Sequence, residues 1–295
     1  MSQHSALLVL LIANVLMACA GVFSKLIPAD AVTITQLRCM LALCCLLPFV
    51  LILGGRLKLA SKAEVAGVLV LGVLMGGHWA SYFQAMQLST VAVGTLSVFT
   101  FPILTVLLEP LFSRKSFSLR DAALAFVAVL GVAILVFDEL VLLLSLEAEP
   151  SSYALGVLWG GISAFMLSVR NLIQKYCFST IASPTLMFYQ VLVISLMYLP
   201  FMDLDRVASL ELGDWWNVFL LALFVTSVGH TLFVRSFKYL PAKSVSMISC
   251  VQPLIVAYIA WLVLNEQPSA QVYIGGALIL LVAFYESWLQ ARRRL

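Results

Sequence analysis

Two histidines lie at matching positions in the two halves of the sequence, each inside an apolar run. His78 follows Gly77, and His230 follows Gly229. A polar side chain at such depth usually faces the interior of a helix bundle, and histidine can donate, accept or change charge near neutral pH. We expect the pair either to join helices by hydrogen bonds or to contact a solute. Neither histidine has a second metal ligand four residues further along its run, so no metal site is predicted.

Two prolines form a second matched pair. Pro102 and Pro253 each fall near the middle of an apolar run. A proline inside a helix lacks a backbone donor and clashes with the carbonyl four residues earlier, here that of Val98 or Ser249. Freed polar groups at this depth can bind a solute or permit a bend, and paired interruptions point to the binding site of repeat-built transporters. The alternative interpretation is a tolerated kink, since proline is frequent in membrane helices.

Aromatic and polar residues near these four are further candidates. Tyr82 shares a helix face with His78, and Phe233 shares one with His230. A cavity lined by aromatic side chains and a few polar groups suits amphipathic solutes, although packing between helices explains each single aromatic residue as well. The predicted substrate-binding residues are His78, Trp79, Tyr82, Pro102, Trp159, His230, Phe233, Ser249, Gln252, Pro253, Asn14 and Arg38. A structural role is favoured for Arg38, which is expected to snorkel to the surface or to pair with Asp30.

The chemistry that the sequence lacks narrows the solute class. No Asp or Glu falls near the middle of a predicted span, whereas a path for hydrophobic cations would normally carry a buried carboxylate. We therefore expect neutral or zwitterionic solutes and no obligate cation–proton exchange, while a proton carried by histidine stays open. The phosphate-binding pattern GxxxxGK[ST] is missing, so no ATP motor is predicted. The six cysteines form no CxxC pair and are expected to be small packing residues.

The composition determines which elements must hold these residues. Of the 295 residues, 63% are hydrophobic and 11% charged, with a mean hydropathy of +1.07, whereas soluble domains carry about 25% charged residues. A spanning helix needs about 20 apolar residues, and the runs lack the alternation of barrel strands. We predict an all-α integral membrane protein with ten transmembrane helices, at 6–26, 33–53, 64–87, 91–112, 119–137, 153–174, 184–202, 214–235, 242–264 and 270–289.

The ten predicted helices form two related units of five. The tripeptide LPF at 47–49 recurs at 199–201, and GH at 77–78 recurs at 229–230. We assign 6–137 to the first repeat, 138–152 to an outer connecting loop, 153–288 to the second repeat and 289–295 to a basic cytoplasmic tail. Because five is odd, the second unit enters the membrane from the opposite side, which makes an inverted repeat of the kind common in secondary transporters.

The distribution of basic residues predicts the orientation. Cytoplasmic loops are enriched in Lys and Arg, and most of the 17 basic residues fall on one side when both termini are placed in the cytoplasm. This split indicates the plasma (inner) membrane of a bacterial cell. The residues assigned to the cytoplasmic side, in loops or at helix ends, are Arg56, Lys58, Lys62, Arg114, Lys115, Arg120, Arg170, Lys175, Arg235, Lys238, Lys243, Arg292, Arg293 and Arg294.

The pattern resembles the EamA-type branch of the drug/metabolite transporter superfamily over nearly the whole length. The resemblance rests on GHW at 77–79, QLSTVA at 87–92, FP at 101–102, LEPLF at 108–112 and LPA at 240–242, and on Pro253 followed thirteen residues later by Glu266. It implies alternating access around a central cavity, with solutes that range from amino acids to drugs. In similar proteins a glutamate often follows, at the same distance, the proline that matches Pro102. Here that position is Lys115, so a matched acidic pair is not expected.

These observations predict a secondary transporter that exports small organic metabolites, amino acids or similar amphipathic solutes, by alternating access. Its expected partners are the solute and the lipid bilayer, with no nucleic acid and no cofactor, and a homodimer stays open. One alternative is a membrane-embedded enzyme acting on lipid or lipid-linked substrates. It would need clustered catalytic residues, and the acidic loop around Glu147 and Glu149 lacks a histidine partner. A second alternative is a non-transporting membrane scaffold, which no feature positively favours.

Overall fold

Helices make up the regular structure of the protein. The computed structural model describes residues 3–52, 57–89, 91–113, 116–135, 137, 141, 150–264 and 270–292, and these contain no strand. Helix satisfies every backbone hydrogen bond within its own segment, as hydrocarbon surroundings require. Most of the predicted connecting loop, with Glu147 and Glu149, lies outside the described residues, as do Lys115, Glu266 and 293–295.

The first part of the chain contains seven described helices. They are α1 (Gln3–Ala18), α2 (Ala20–Leu26), α3 (Ala31–Ile52), α4 (Lys62–Leu88), α5 (Val91–Val98), α6 (Phe101–Ser113) and α7 (Leu119–Leu135). Polar caps mark where two of them begin. The Asp30 carboxylate accepts from the backbone of Val32 and Thr33 at the start of α3, and Ser61 Oγ accepts from Glu64 N at the start of α4.

The second part of the chain contains eight described helices and a π-helical segment. They are α8 (Pro150–Cys177), α9 (Ser183–Tyr198), α10 (Leu204–Ala208), α11 (Leu212–Leu220), α12 (His230–Ser236), α13 (Ala242–Ser249), α14 (Val251–Leu264) and α15 (Ala270–Arg292). The π segment, Leu221–Gly229, joins α11 to α12 and ends just before His230. The hydroxyls of Thr226 and Ser227 each donate to a carbonyl five residues earlier in this segment.

Six of the described helical stretches are long and apolar enough to cross a membrane. They are Ala31–Ile52, Lys62–Leu88, Gly94–Ser113, Ala154–Cys177, Ser183–Phe201 and Leu212–Ser236, with shorter apolar helices at His4–Ala18 and Tyr273–Leu289. Large apolar side chains such as Phe126, Phe284 and Leu281 lie exposed on α7 and α15, as lipid-facing helices require. An all-helical membrane architecture is therefore confirmed, while the count of ten spans stays a prediction.

Helices from the two parts of the chain interleave rather than forming separate bundles. Helix α4 packs against α8 and α9, α3 packs against α9 and the π segment, and α1 packs against α12. Helices α7 and α15 pack together at one side. Small residues allow the closest approaches, as expected in membranes: a Cβ added to Gly160 of α8 would lie 2.2 Å from the Ser97 Cβ of α5. This interleaving brings polar groups from distant segments to shared cavities.

Candidate solute-binding site

Most of the predicted site residues line one cavity, which we call the central cavity. Its walls come from α1 to α6 in the first part of the chain and from α8, α12 and α14 in the second. The space open to water is small, about 60 Å³, which holds only a few water molecules. The predicted residues that line it are Arg38, His78, Trp79, Tyr82, His230, Phe233, Gln252 and Pro253.

Arg38 is buried in the wall of the central cavity rather than extended to the surface. Only 1% of it is exposed, and its Cζ lies 3.8 Å from the Trp79 ring centroid and 4.9 Å from that of Phe83. The expectation that Arg38 snorkels or pairs with Asp30 is therefore wrong. The guanidinium stacks on aromatic faces, as its flat, weakly hydrated shape allows, and the Asp30 carboxylate caps α3 instead.

His78 both joins two helices and lines the cavity. Its Nδ1 lies 2.7 Å from Ser163 Oγ and 3.2 Å from the Ser163 carbonyl oxygen, and Ser163 Oγ donates to the His78 carbonyl at 2.9 Å. A carbonyl oxygen only accepts, so this geometry places the proton on Nδ1 and leaves Nε2 of a neutral ring as an acceptor. The ring also stacks parallel to Tyr82, with centroids 6.2 Å apart. Hydrogen bonding between helices and contact with a solute are thus compatible interpretations of His78.

His230 and Trp79 meet edge to face beside Arg38. Their ring centroids are 4.9 Å apart at an interplanar angle of 61°. Within the described residues, neither His230 Nδ1 nor Trp79 Nε1 has a hydrogen-bond partner, although both atoms are buried. Buried polar atoms in proteins are nearly always paired. Unmet hydrogen-bonding groups are therefore concentrated on the wall formed by Arg38, Trp79 and His230.

Helix interruptions precede both matched prolines. Residues 99–100 separate α5 from α6 just before Pro102, and Cys250 separates α13 from α14 just before Pro253. Both prolines are buried, but only Pro253 is among the residues that line the central cavity. The Ser168 hydroxyl of α8 donates to the carbonyl of Phe101, the first residue of α6, at 3.0 Å, which joins α6 to α8 beside this interruption.

Four predicted site residues, including Pro102, do not line the central cavity. Trp159 is 38% exposed on α8, because α8 turns the neighbouring Gly160 toward α5. Asn14 lies behind the wall, where its Oδ1 accepts from Gln252 Nε2 at 2.9 Å. Ser249 is fully buried, and its hydroxyl has no partner among the described residues.

Arg170 is the principal residue that the sequence interpretation misplaced. It was assigned to a cytoplasmic helix end, but it is fully buried within α8. Its Nε and Nη2 donate to Gln190 Oε1 at 3.0 and 2.7 Å, and its Nη1 donates to Asn171 Oδ1 at 2.9 Å. The recurrence of Ser163, Arg170 and Gln174 along one stripe of α8 is the signal that could have indicated burial, since such spacing aligns on one helix face.

A second, larger cavity lies at one end of the described bundle, and we call it the end cavity. Its volume is about 400 Å³, and its walls include Glu109, Asp121, Tyr176 and Lys243. Asp121 forms ion pairs with Lys243 and, at 3.1 Å, with Arg120. Tyr176 donates to Glu109 Oε1 at 2.8 Å. Within the described residues, no group of three His, Cys, Asp or Glu could hold a metal ion in either cavity.

Comparison with known proteins identifies the family. The profile of the EamA-like transporter family matches residues 4–137 and 154–286. The chain belongs to the EamA-like transporter family. With its long apolar helices, this membership makes the chain a multi-pass membrane protein of a transporter family.

Two individual proteins are also similar to this chain, one in sequence and one in fold. An uncharacterized transporter of Synechocystis sp., sll1164, is 26% identical over 167 residues, which are 52% of this chain and 45% of that protein. The match thus spans about half the length of the curated relative. A protein of known crystal structure has 19% sequence identity and a TM-score of 0.76, covering 98% of this chain and 99% of its own. At that identity the likeness shows the fold alone.

Proposed function

We propose that this EamA-like transporter is a secondary exporter of small organic metabolites, amino acids or similar amphipathic solutes, which works by alternating access. The observation that carries the proposal is the meeting of His78 and His230 on the walls of one cavity, although they come from distant parts of the chain. A site shared between two units is what a rocking mechanism needs, because each unit then contacts the solute from one side.

The lining of the central cavity supports an amphipathic solute. Apolar and aromatic side chains, among them Phe101, Phe233 and Leu167, surround a few polar groups, as in sites for small organic molecules. The free space of about 60 Å³ is too small for an amino acid. Transport therefore requires the cavity to widen, and we propose that the helix interruptions ahead of Pro102 and Pro253 provide the bending points.

The proposed architecture is ten spans in two inverted five-helix repeats, 6–137 and 153–288, in the inner membrane with both termini cytoplasmic. The split of basic residues supports this orientation for the loops. Arg170 must be removed from that count, because it is buried within α8. A single-cysteine labelling test decides the point: equivalent loops of the two repeats should be labelled from opposite sides, and labelling from the same side would contradict the inversion.

Flux through reconstituted proteoliposomes tests the transport proposal. We expect uptake of one or more radiolabelled amino acids above that of empty liposomes, and a decrease of at least tenfold in both His78→Ala and His230→Ala at equal protein content. Trp159→Ala is the matched control, since this aromatic residue lies away from the cavity and its loss should leave flux unchanged. Undiminished transport in both histidine variants would remove the central cavity from the pathway. Running each assay with and without a pH gradient identifies proton coupling.

A further inference from the structure

The central cavity contains a buried cation, Arg38, which forms no ion pair with any acid among the described residues. We propose that Arg38, with Trp79 and His230, forms a carboxylate-binding subsite, so that the solutes carried are organic acids or amino acids whose carboxylate is required for recognition. This proposal rests on the transport function proposed above and makes it more specific. It replaces the expectation of generally neutral or zwitterionic solutes by one defined functional group.

The hydrogen-bonding state of Arg38 is the first argument. Its Nε and Nη2 are buried and have no hydrogen-bond partner in the described part of the chain. The aromatic faces of Trp79 and Phe83 contact the guanidinium, but a ring face leaves the N–H groups at the guanidinium edge unused. Those N–H groups form a rigid fork that matches a carboxylate in two parallel hydrogen bonds. Arg38 therefore lacks the one kind of partner that its geometry fits best.

Two further unmet groups stand beside this fork. Trp79 Nε1, which can only donate, and His230 Nδ1 are both buried without a partner among the described residues. Trp79 contacts Arg38 on its face and His230 near its edge, so the three side chains form one continuous wall. Donors predominate on this wall, and an anion accepts from donors. Because these nitrogens are closed off from water, a carboxylate reaches them when the cavity widens.

The charges around the cavity favour an anion and disfavour a cation. Arg170 is a second fully buried cation, and its acceptors Gln190 and Asn171 are neutral. Of the described buried acids, Glu109 and Asp121 line the end cavity instead, where Tyr176 and Lys243 engage them, and Glu286 lies on α15, where it accepts from Ser244. None of the three lines the central cavity. An ionisable group inside a membrane protein without a local counter-charge indicates a functional site.

The apolar walls distinguish an organic acid from an inorganic anion. Phe101, Phe233 and Leu167 face the same cavity and give hydrocarbon a favourable environment that chloride or phosphate cannot use. A carboxylate at the Arg38 wall would leave the body of the solute against these side chains. The predicted ligand is therefore a carboxylate attached to an apolar body, with or without an amino group.

Four probes that share one phenyl body test the proposal in proteoliposomes: L-phenylalanine, L-phenylalaninamide, phenethylamine and 3-phenylpropionate. The unsubstituted protein should transport the two carboxylates at least tenfold faster than the amide or the amine. Arg38→Gln should lose at least tenfold of the carboxylate flux, and Arg38→Lys should fall in between, because it keeps the charge and loses the fork. Arg292→Gln is the matched control, since Arg292 also stacks on a tryptophan, Trp288, but is exposed at the end of α15.

A second variant covers the case in which Arg38→Gln does not fold, as judged by size-exclusion chromatography. Trp79→Phe keeps an aromatic ring in the wall and removes the indole N–H, so it should raise the KM for 3-phenylpropionate about fivefold and change the KM for the amide less. Amide or amine flux equal to carboxylate flux would overturn the subsite while leaving the transport function intact. Inhibition by chloride or phosphate as strong as by 3-phenylpropionate would also overturn it in favour of an inorganic anion. Absence of flux for every probe and every amino acid would overturn both proposals.

Discussion

The central cavity and the end cavity both hold buried charged residues, but among the described residues those of the end cavity have polar partners and Arg38 of the central cavity has no acid. Asp121 lies between Lys243 and Arg120, and Glu109 accepts from Tyr176. The Arg38 guanidinium has aromatic neighbours instead. Paired buried charges contribute to structure when both partners are present, whereas an unpaired one leaves its counter-charge to be supplied by a ligand.

The paired charges of the end cavity also connect the two parts of the chain. Asp121 and Glu109 belong to α7 and α6, and their partners Lys243 and Tyr176 belong to α13 and α8. Such contacts hold that end of the bundle together. Under alternating access, they are the contacts that would separate if this end opened. The two cavities thus differ in the expected response to substitution. Three changes test that difference, and a fourth tests the buried Arg170 network, which lines neither cavity.

The largest effect is expected for Asp121→Asn. The Asp121 side chain is 2% exposed and that of Lys243 is 19% exposed, so loss of the carboxylate leaves a mostly buried ammonium without its counter-charge. Breaking a pair of this kind costs about 3 kcal/mol. The free energy of unfolding should fall by that amount in a denaturation series in detergent. Adding Lys243→Gln should restore part of the loss, and a double variant less stable than Asp121→Asn would contradict the pairing.

Gln190→Leu is expected to lower the free energy of unfolding by about 2 kcal/mol, because it leaves two N–H groups of buried Arg170 without an acceptor. The same denaturation series measures the change. The isosteric control Gln190→Glu keeps the acceptor and adds a counter-charge, so it should not destabilise. Equal stability of Gln190→Leu and the unsubstituted protein would show that the Arg170 network is not satisfied through Gln190.

Arg38→Met should behave in the opposite way to Gln190→Leu. Removing an unpaired buried guanidinium relieves its desolvation and loses its stacking on Trp79, and these effects should leave the free energy of unfolding within about 1 kcal/mol of the unsubstituted value. Carboxylate flux should nevertheless be lost. A destabilisation as large as that of Asp121→Asn would mean that Arg38 is a structural cation and that the contrast between the cavities is wrong.

Tyr176→Phe should have the smallest effect. It removes one hydroxyl that donates to Glu109. Loss of a hydrogen bond to a charged group lowers the free energy of unfolding by about 1.5 kcal/mol. Solvent reaches the end cavity, which should reduce that figure to about 1 kcal/mol. The matched control is Tyr273→Phe, at an exposed tyrosine on α15. Unfolding curves for the two variants should differ by this small amount, and coincident curves would contradict a stabilising role for the hydroxyl.

Part of the site could be predicted from residue types alone. A histidine or tyrosine within a long apolar run has few options except the bundle interior, and His78, Tyr82 and His230 accordingly line the central cavity. Pro102 and Pro253 similarly indicated where helices are interrupted. Trp159 and Arg170 could not be placed in this way. The polar stripe of α8 is interpretable as a buried face, but the rotation of α8 against its neighbours decides which residues face inward, and it leaves Trp159 exposed and Arg170 buried.

The sequence by itself determined that this chain is helical, that it needs a membrane and that it belongs to a transporter family, because those properties follow from apolar runs and family-wide residue patterns. Only the tertiary structure decided which charges have partners. The stacking of Arg38 on Trp79 and the hydrogen bond from Arg170 to Gln190 both depend on the rotation of each helix about its own axis. That rotation is set by close packing at small residues such as Gly160, which involves segments far apart in the chain.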